Sequence, residues 1–258
     1  MNSYYQEKLK LNYKEKIGTF IKSMEGIRTE HLPEPFLPVV GENYGGRYPK
    51  IVFWGWETRD AKRLSDWLDY VKSNEMNAFD WFADYFDEFA FVNWRSNFNN
   101  DFWSFNLKVL SAINGITDWQ ELYRNPSSYS ELLSSFAWAN TDSIERYEVT
   151  AKKQGATKEN WTKLKEASSI FDSAKLIIDS LEPDIIILVN WNKEEDWLLE
   201  GLNIKLESEP QDFLWYYKTE NPTTQIFWTS HPRGHNSKGI NQDKIVSDIS
   251  EIFKLDTK

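Results

Sequence analysis

Ile185-Ile186-Ile187-Leu188-Val189 is an unbroken aliphatic run, apolar on both faces that a strand would present. A strand of this kind belongs in the middle of a parallel sheet, covered above and below. Immediately upstream, Trp161, Leu164, Ala167, Ile170, Phe171, Ala174, Ile177, Ile178 and Leu181 repeat at helical spacing. The spacing predicts one helix over 158–181, stopped by Pro183. A helix that feeds a doubly buried strand predicts an α/β fold: a central, mostly parallel sheet flanked by helices on both faces.

The same pattern extends outward. Ile51-Val52-Phe53-Trp54 ends at Gly55 and reads as a second buried strand, and Ser135 to Asn140 as a third. Phe213–Tyr217 and Gln225–Thr229 read as two more, separated by Asn221-Pro222. Leu64, Trp67, Leu68 and Val71 follow the N-cap candidate Asp60, and Ile245, Val246, Ile249, Ile252 and Phe253 close the chain; both sets predict helices. The ring-dense stretch 76–106, with Asp80, Asp84, Asp87 and Glu88 interleaved, predicts helix with rings inward. At the N-terminus Leu9, Tyr13, Ile17, Phe20, Ile21 and Met24 trace one helical face. Pro33, Pro35 and Pro38, then Gly41, Gly45 and Gly46, predict a long irregular loop after it. No repeat and no low-complexity linker divides the sequence. The expectation is one domain over residues 1–258, with 1–49 an N-terminal helix and loop extension.

Composition narrows the function classes. Cysteine is absent, which excludes a disulfide framework, a thiolate metal site and a cysteine nucleophile. No apolar run approaches the roughly 18 residues that span a bilayer, and the N-terminal residues lack a signal pattern. A cytoplasmic protein without a membrane partner is expected. The net charge of −10 works against non-specific capture of nucleic acid. Thirteen tryptophans and an aromatic content of 16% fill a core and leave a few rings for stacking on a base or sugar.

In open α/β sheets ligands bind at the carboxyl ends of the strands, so three strand exits matter most. The first is Gly55-Trp56-Glu57-Thr58-Arg59. A carboxylate beside a glycine where the sheet opens suits activation of water or stabilisation of a sugar cation; its plainer alternative is a Glu57–Arg59 surface pair or a helix cap. The second is Asn140, whose amide offers an acceptor and two donors to a nucleobase edge; the alternative is a turn cap. The third is Thr229-Ser230-His231-Pro232-Arg233-Gly234-His235-Asn236, a locally basic loop that also carries Ser237 and Lys238. It suits a hydrogen-bond donor plus phosphate contacts, or is an ordinary basic turn. His231 and His235 stand four apart, but Pro232 and Gly234 oppose the helix that a zinc pair needs, so no metal is expected.

In this order the three exits resemble the uracil-DNA glycosylase superfamily. Its first motif, roughly Gly-Gln-Asp-Pro-Tyr after an apolar strand, corresponds to Gly55-Trp56-Glu57-Thr58-Arg59. Its middle motif, a strand ending in Asn, corresponds to Phe136-Ala137-Trp138-Ala139-Asn140. Its final His-Pro-Ser-Pro corresponds to His231-Pro232-Arg233-Gly234. The similarity runs from about Ile51 to the C-terminal helix and looks closest to a divergent bacterial branch with a Gly-x-Glu-Thr first motif.

The resemblance implies a DNA glycosylase that hydrolyses the N-glycosidic bond of a flipped pyrimidine, in DNA repair or phage defence, without a cofactor. It implies Glu57 and His231 as catalytic residues: Glu57 orients water and faces the sugar cation, and His231 donates to the leaving base. Gly55, Trp56, Asn140, Arg59 and Tyr44 would line the base site, with Trp56 first and Tyr44 second as stacking candidates. Arg233, His235, Ser237 and Lys238 would contact the nucleic-acid backbone. Trp56, Thr58 and Arg59 replace the family's Gln, Pro and Tyr, so a modified pyrimidine is expected in place of plain uracil. Two other classes stay open: a non-catalytic nucleobase- or nucleic-acid-binding module of the same fold, and an acidic interaction protein whose segment from Phe79 to Trp94 docks a basic protein partner.

Overall fold

A computed structural model describes residues 3–55, 61–72, 75–82, 101–149, 151–190, 199–211, 213–220 and 223–256. The elements in chain order are α1 (Ser3–Ser23), β1 (Val39–Val40), β2 (Ile51–Gly55), α2 (Leu64–Val71), α3 (Asp101–Ile113), β3 (Phe136–Asn140), α4 (Lys158–Ser168), α5 (Ala174–Leu181), β4 (Ile185–Asn190), β5 (Ile204–Gln211), β6 (Leu214–Thr219), β7 (Gln225–Ser230) and α6 (Gln242–Asp256). Shorter helical turns join them.

The strands form one mixed sheet in the order β1-β3-β2-β4-β7-β6-β5. Its centre, β3-β2-β4-β7, is parallel, while β1, β6 and the edge strand β5 each run antiparallel to their inner neighbour. The chain is therefore α/β, as the aliphatic run predicts. Ile185 to Val189 are all fully buried. Each such side chain contributes roughly 1.5–3 kcal/mol on burial, so the centre of the sheet is a firm base for whatever leaves its ends.

Helices cover both faces because the crossovers move in opposite directions. The path from β2 to β3 steps one way, and the path from β3 to β4 steps back across β2. Right-handed crossovers then put their helices on opposite sides. On one side Trp103 of α3 lies 6.0 Å from Phe136 and 5.2 Å from Trp138, ring to ring. The α6 residues Ser250 and Lys254 both donate to the Ala112 carbonyl on α3. On the other side Val52, Trp54, Ile186, Leu188, Ile226 and Trp228 are equally buried. There α1 joins α5 through an Asn12–Ser180 hydrogen bond of 3.1 Å and a Lys8–Glu182 ion pair.

Three local expectations change. The predicted loop after α1 is a buried strap: every residue from Leu32 to Gly41 is buried. Its prolines lack the N–H that burial would orphan, and intervening amides find partners. Glu34 donates to the Lys62 carbonyl, Phe36 to that of Ser143 and Gly41 to that of Phe136. The predicted helix over 158–181 is two helices. Asp172 turns its carboxylate to the Ser143 amide, and Ser173 caps α5. Within 76–106, Glu75–Phe82 is a 3-10 helix and α3 begins at Asp101; residues 83–100 lie outside the described residues. Strand β5 was missed by the periodicity because Lys205, Glu207 and Pro210 interrupt its apolar pattern.

Candidate functional site

All four central strands point their carboxyl ends the same way. Gly55 is level with Asn140, and the Thr141 amide donates to the Gly55 carbonyl at 2.7 Å. Asn190 is level with Ser230, and the His231 amide donates to the Asn190 carbonyl at 2.9 Å. The order in which strands are added reverses between the parallel neighbours β2 and β4, the switch point where open α/β sheets offer a crevice.

Phe102, on the first turn of α3, links these exits. A Cβ added at Gly55 would lie 2.9 Å from Phe102 Cε2 and 3.1 Å from Asn140 Oδ1. Phe102 and Asn140 thus close on the same glycine, and any side chain at position 55 would push one of them away. The Phe102 ring also lies 6.5 Å from the His231 ring with only 21° between planes, a stacked arrangement. Gly55, Asn140 and His231 therefore gather around one aromatic ring.

Asn140 is held from within its own strand. Trp138 shares its face two residues earlier, and its indole N–H donates to Asn140 Oδ1 at 3.2 Å. An indole nitrogen only donates, so this contact decides which end of the amide is oxygen. The Phe36 ring backs Trp138 at 4.6 Å.

His231 caps the turn Pro232–Gly234: its Nδ1 accepts from the Arg233 amide at 3.2 Å. In the neutral ring the proton then sits on Nε2, which makes Nε2 the donor. His235 does something different. It is only 1% exposed, its Nε2 lies 2.7 Å from the Ser230 carbonyl, and its ring meets Phe105 edge-on at 5.6 Å. Burial lowers its pKa, against the effect of the Ser230 bond.

Placed in space, the predicted residues separate. Gly55, Asn140 and His231 come together. Arg233, Ser237 and Lys238 are exposed along the outside of the same loop; Lys238 Nζ donates to Ser230 Oγ at 3.1 Å and Ser237 Oγ to the Gly234 carbonyl at 2.9 Å. The buried His235 pins the loop from below, so the surface contact expected of it is corrected to a packing role. Tyr44 is also corrected. Asn43 binds the Ser134 carbonyl, and the Tyr44 hydroxyl donates to the Leu181 carbonyl at 3.1 Å. Both partners precede strands, so Tyr44 is buried at the amino ends, opposite the site. Trp56, Glu57 and Arg59 lie outside the described residues.

Sequence reasoning missed Phe102, Trp138 and Phe36 as site residues. In sequence Phe102 follows the polar run Asn99-Asn100-Asp101, a helix-start signal obscured by the surrounding rings. Among the described residues no group of three or more His, Asp or Glu side chains is arranged to hold a metal ion. No helix among them is long and apolar enough to cross a membrane. No protein-family model matches the chain, and no curated protein matches it in sequence.

Proposed function

We propose that this protein is a DNA glycosylase-like hydrolase of the uracil-DNA glycosylase type, which cleaves the N-glycosidic bond of a pyrimidine swung out of a DNA strand. The observation that carries the reading is the gathering of Gly55, Asn140 and His231 around Phe102 at the carboxyl ends of parallel strands. Stacking of a base on an aromatic ring is worth about 1–3 kcal/mol and offsets part of the cost of flipping it. Phe102 supplies a ring at this edge. Asn140, its amide oriented by Trp138, meets the base edge.

As the bond to C1′ lengthens, its electron pair moves to the base and the sugar becomes cationic. Glu57, two residues past Gly55 in the sequence, is assigned to stabilise that cation and orient the water that adds to C1′; the proton this water releases ends on the departing base, which leaves neutral. His231 Nε2 donates to the oxygen of the departing base, where its hydrogen bond strengthens as charge builds. Arg233, Ser237 and Lys238 contact the strand's phosphates. Trp56 and Arg59 stand in sequence where the resembled family has Gln and Tyr, which supports a modified pyrimidine over plain uracil as substrate. Such an activity suits repair of DNA, or defence against phage DNA, in the cytoplasm.

The test is a panel of oligonucleotides, single- and double-stranded, with different pyrimidines. Glu57→Gln and His231→Ala are each expected to slow base release by about 10²–10³-fold while leaving the fold intact. Full activity in either variant overturns the assignment, and turnover of uracil alone rejects the modified-base specificity. The net charge of −10 favours a second reading, a nucleobase-binding module that does not cut. Binding across the panel with no released base would select it.

A further inference from the structure

Behind Asn140 runs a continuous set of contacts that ends on a buried acid. Asp172 Oδ1 accepts from the Ser143 amide at 2.8 Å. Ser143, three residues past Asn140, gives its hydroxyl to the Ser168 carbonyl at 3.1 Å and takes the Phe36 amide on its own carbonyl. The Phe36 ring packs 4.6 Å from Trp138, and Trp138 donates to Asn140. Each link is a packed ring or a hydrogen bond inside the core, where small displacements transmit because there is little free volume.

The acid at the end of this path is unusually placed. Its side chain is 1% exposed, and Oδ2 makes no hydrogen bond among the described residues. Lys165 of α4 stands 4.0 Å from Oδ2, but its ammonium is already paired with Asp142 of the loop after β3. From α1 the fully buried Tyr13 hydroxyl lies in the same field, also without a hydrogen bond among the described residues. A carboxylate needs more than one amide and a shared lysine to be comfortable away from water.

We propose that Asp172 is a positioning residue for Asn140, holding the amide through Ser143, Phe36 and Trp138, and that the charge on its carboxyl sets how firmly it holds. When ionised, Asp172 accepts a charge-assisted bond from Ser143, roughly twice as strong as the bond to a neutral acid. When protonated, it loosens its hold on the loop and with it the register of the amide. Burial raises the Asp172 pKa to about 7, with Asp142 adding to the rise while Lys165 and Ser143 oppose it. The switch thus falls near neutral pH. This inference rests on the reading of Asn140 as the residue that meets the base, but its first test does not require a substrate.

That test is a carboxyl-carbon NMR titration of the full chain, read beside the Ser143 amide, the Trp138 indole and the Asn140 side-chain amide. Asp172 is expected to titrate near neutral pH, with all three reporters following the same midpoint. In Asp172→Asn the reporters should no longer show that midpoint. An Asp172 midpoint near 4, or Trp138 and Asn140 signals that stay flat while Ser143 moves, overturns the inference. Base release or base binding is then measured against pH. A step near neutral that disappears in Asp172→Asn supports the positioning role. A step retained unchanged in the variant overturns it. If no base is bound or released while the NMR coupling holds, the proposed function fails and the coupling from Asp172 to Asn140 stands.

Discussion

The Asn140 and His231 exits leave parallel strands of one sheet, yet they are built in opposite ways. Asn140 is enclosed. A buried strap, an indole and a buried carboxyl hold it from behind, and the residue is 8% exposed. His231 stands on a surface turn whose firmness comes from beneath, where His235 binds the strand-end carbonyl of Ser230. Geometry is set mainly by packing at one exit and by hydrogen bonds within the loop at the other. The first arrangement suits reading the shape and edge of a ligand. The second sets cations at the surface, where they suit a flexible, charged one.

The largest effect expected from this contrast is on the packed side. Phe36→Ala removes a ring that touches both Trp138 and Phe82, and should cost about 3–5 kcal/mol in denaturant unfolding. A loss under 1 kcal/mol would mean that the strap does not brace Asn140.

Next comes pH, where the two sides carry opposite signs. Asp172 has a folded pKa of about 7, above the ordinary aspartate value. Between about pH 4 and pH 7 the folded state holds the extra proton, so this group makes stability fall as pH rises. Asp172→Asn should remove that slope and gain on the order of 2–4 kcal/mol relative to the parent at pH 8 compared with pH 4. His235 has a folded pKa below the ordinary histidine value. Its contribution is present above about pH 6.5 and is lost as pH falls through the interval below. His235→Gln should flatten that loss. Melting curves of both variants from pH 4 to pH 8 check the pair, and slopes of the same sign would erase the contrast.

Gly55→Ala lies between the two sides. Its new methyl would meet Phe102 at 2.9 Å and Asn140 at 3.1 Å, and overpacking of this kind costs about 1–3 kcal/mol. A shifted Phe102 environment in the methyl and aromatic NMR spectrum is the accompanying sign. The smallest effect belongs to the exposed loop. Arg233→Ala and Lys238→Ala should each change stability by no more than about 0.5 kcal/mol. Each should lower the salt dependence of oligonucleotide binding by about one phosphate contact.

The parts of this molecule that were legible in its sequence are those whose local pattern leaves one choice. Ile185 to Val189 is apolar on both faces and has nowhere to go but the centre of a parallel sheet. Gly55, Asn140 and His231 end such strands, and that placement alone singles them out. The strap was illegible because prolines and glycines look alike in a buried and an exposed loop; only the partners of Glu34, Phe36 and Gly41 distinguish them. The break between α4 and α5 was hidden because apolar spacing continues across it, while Asp172 is drawn away by Ser143, a residue remote in sequence.

The sequence by itself determined the strands, their apolar depth and the polar residues at their ends, since burial of alternating or continuous apolar faces is a local demand. Only the tertiary structure decided which of those residues meet. Phe102 reaches Gly55, Asn140 and His231 because α3 lies across the sheet, and Tyr44 and His235 leave the site because their polar atoms find carbonyl partners elsewhere. Convergence depends on the register of parallel strands and the hand of their crossovers, and those interactions join residues too distant in the chain for any local pattern to record.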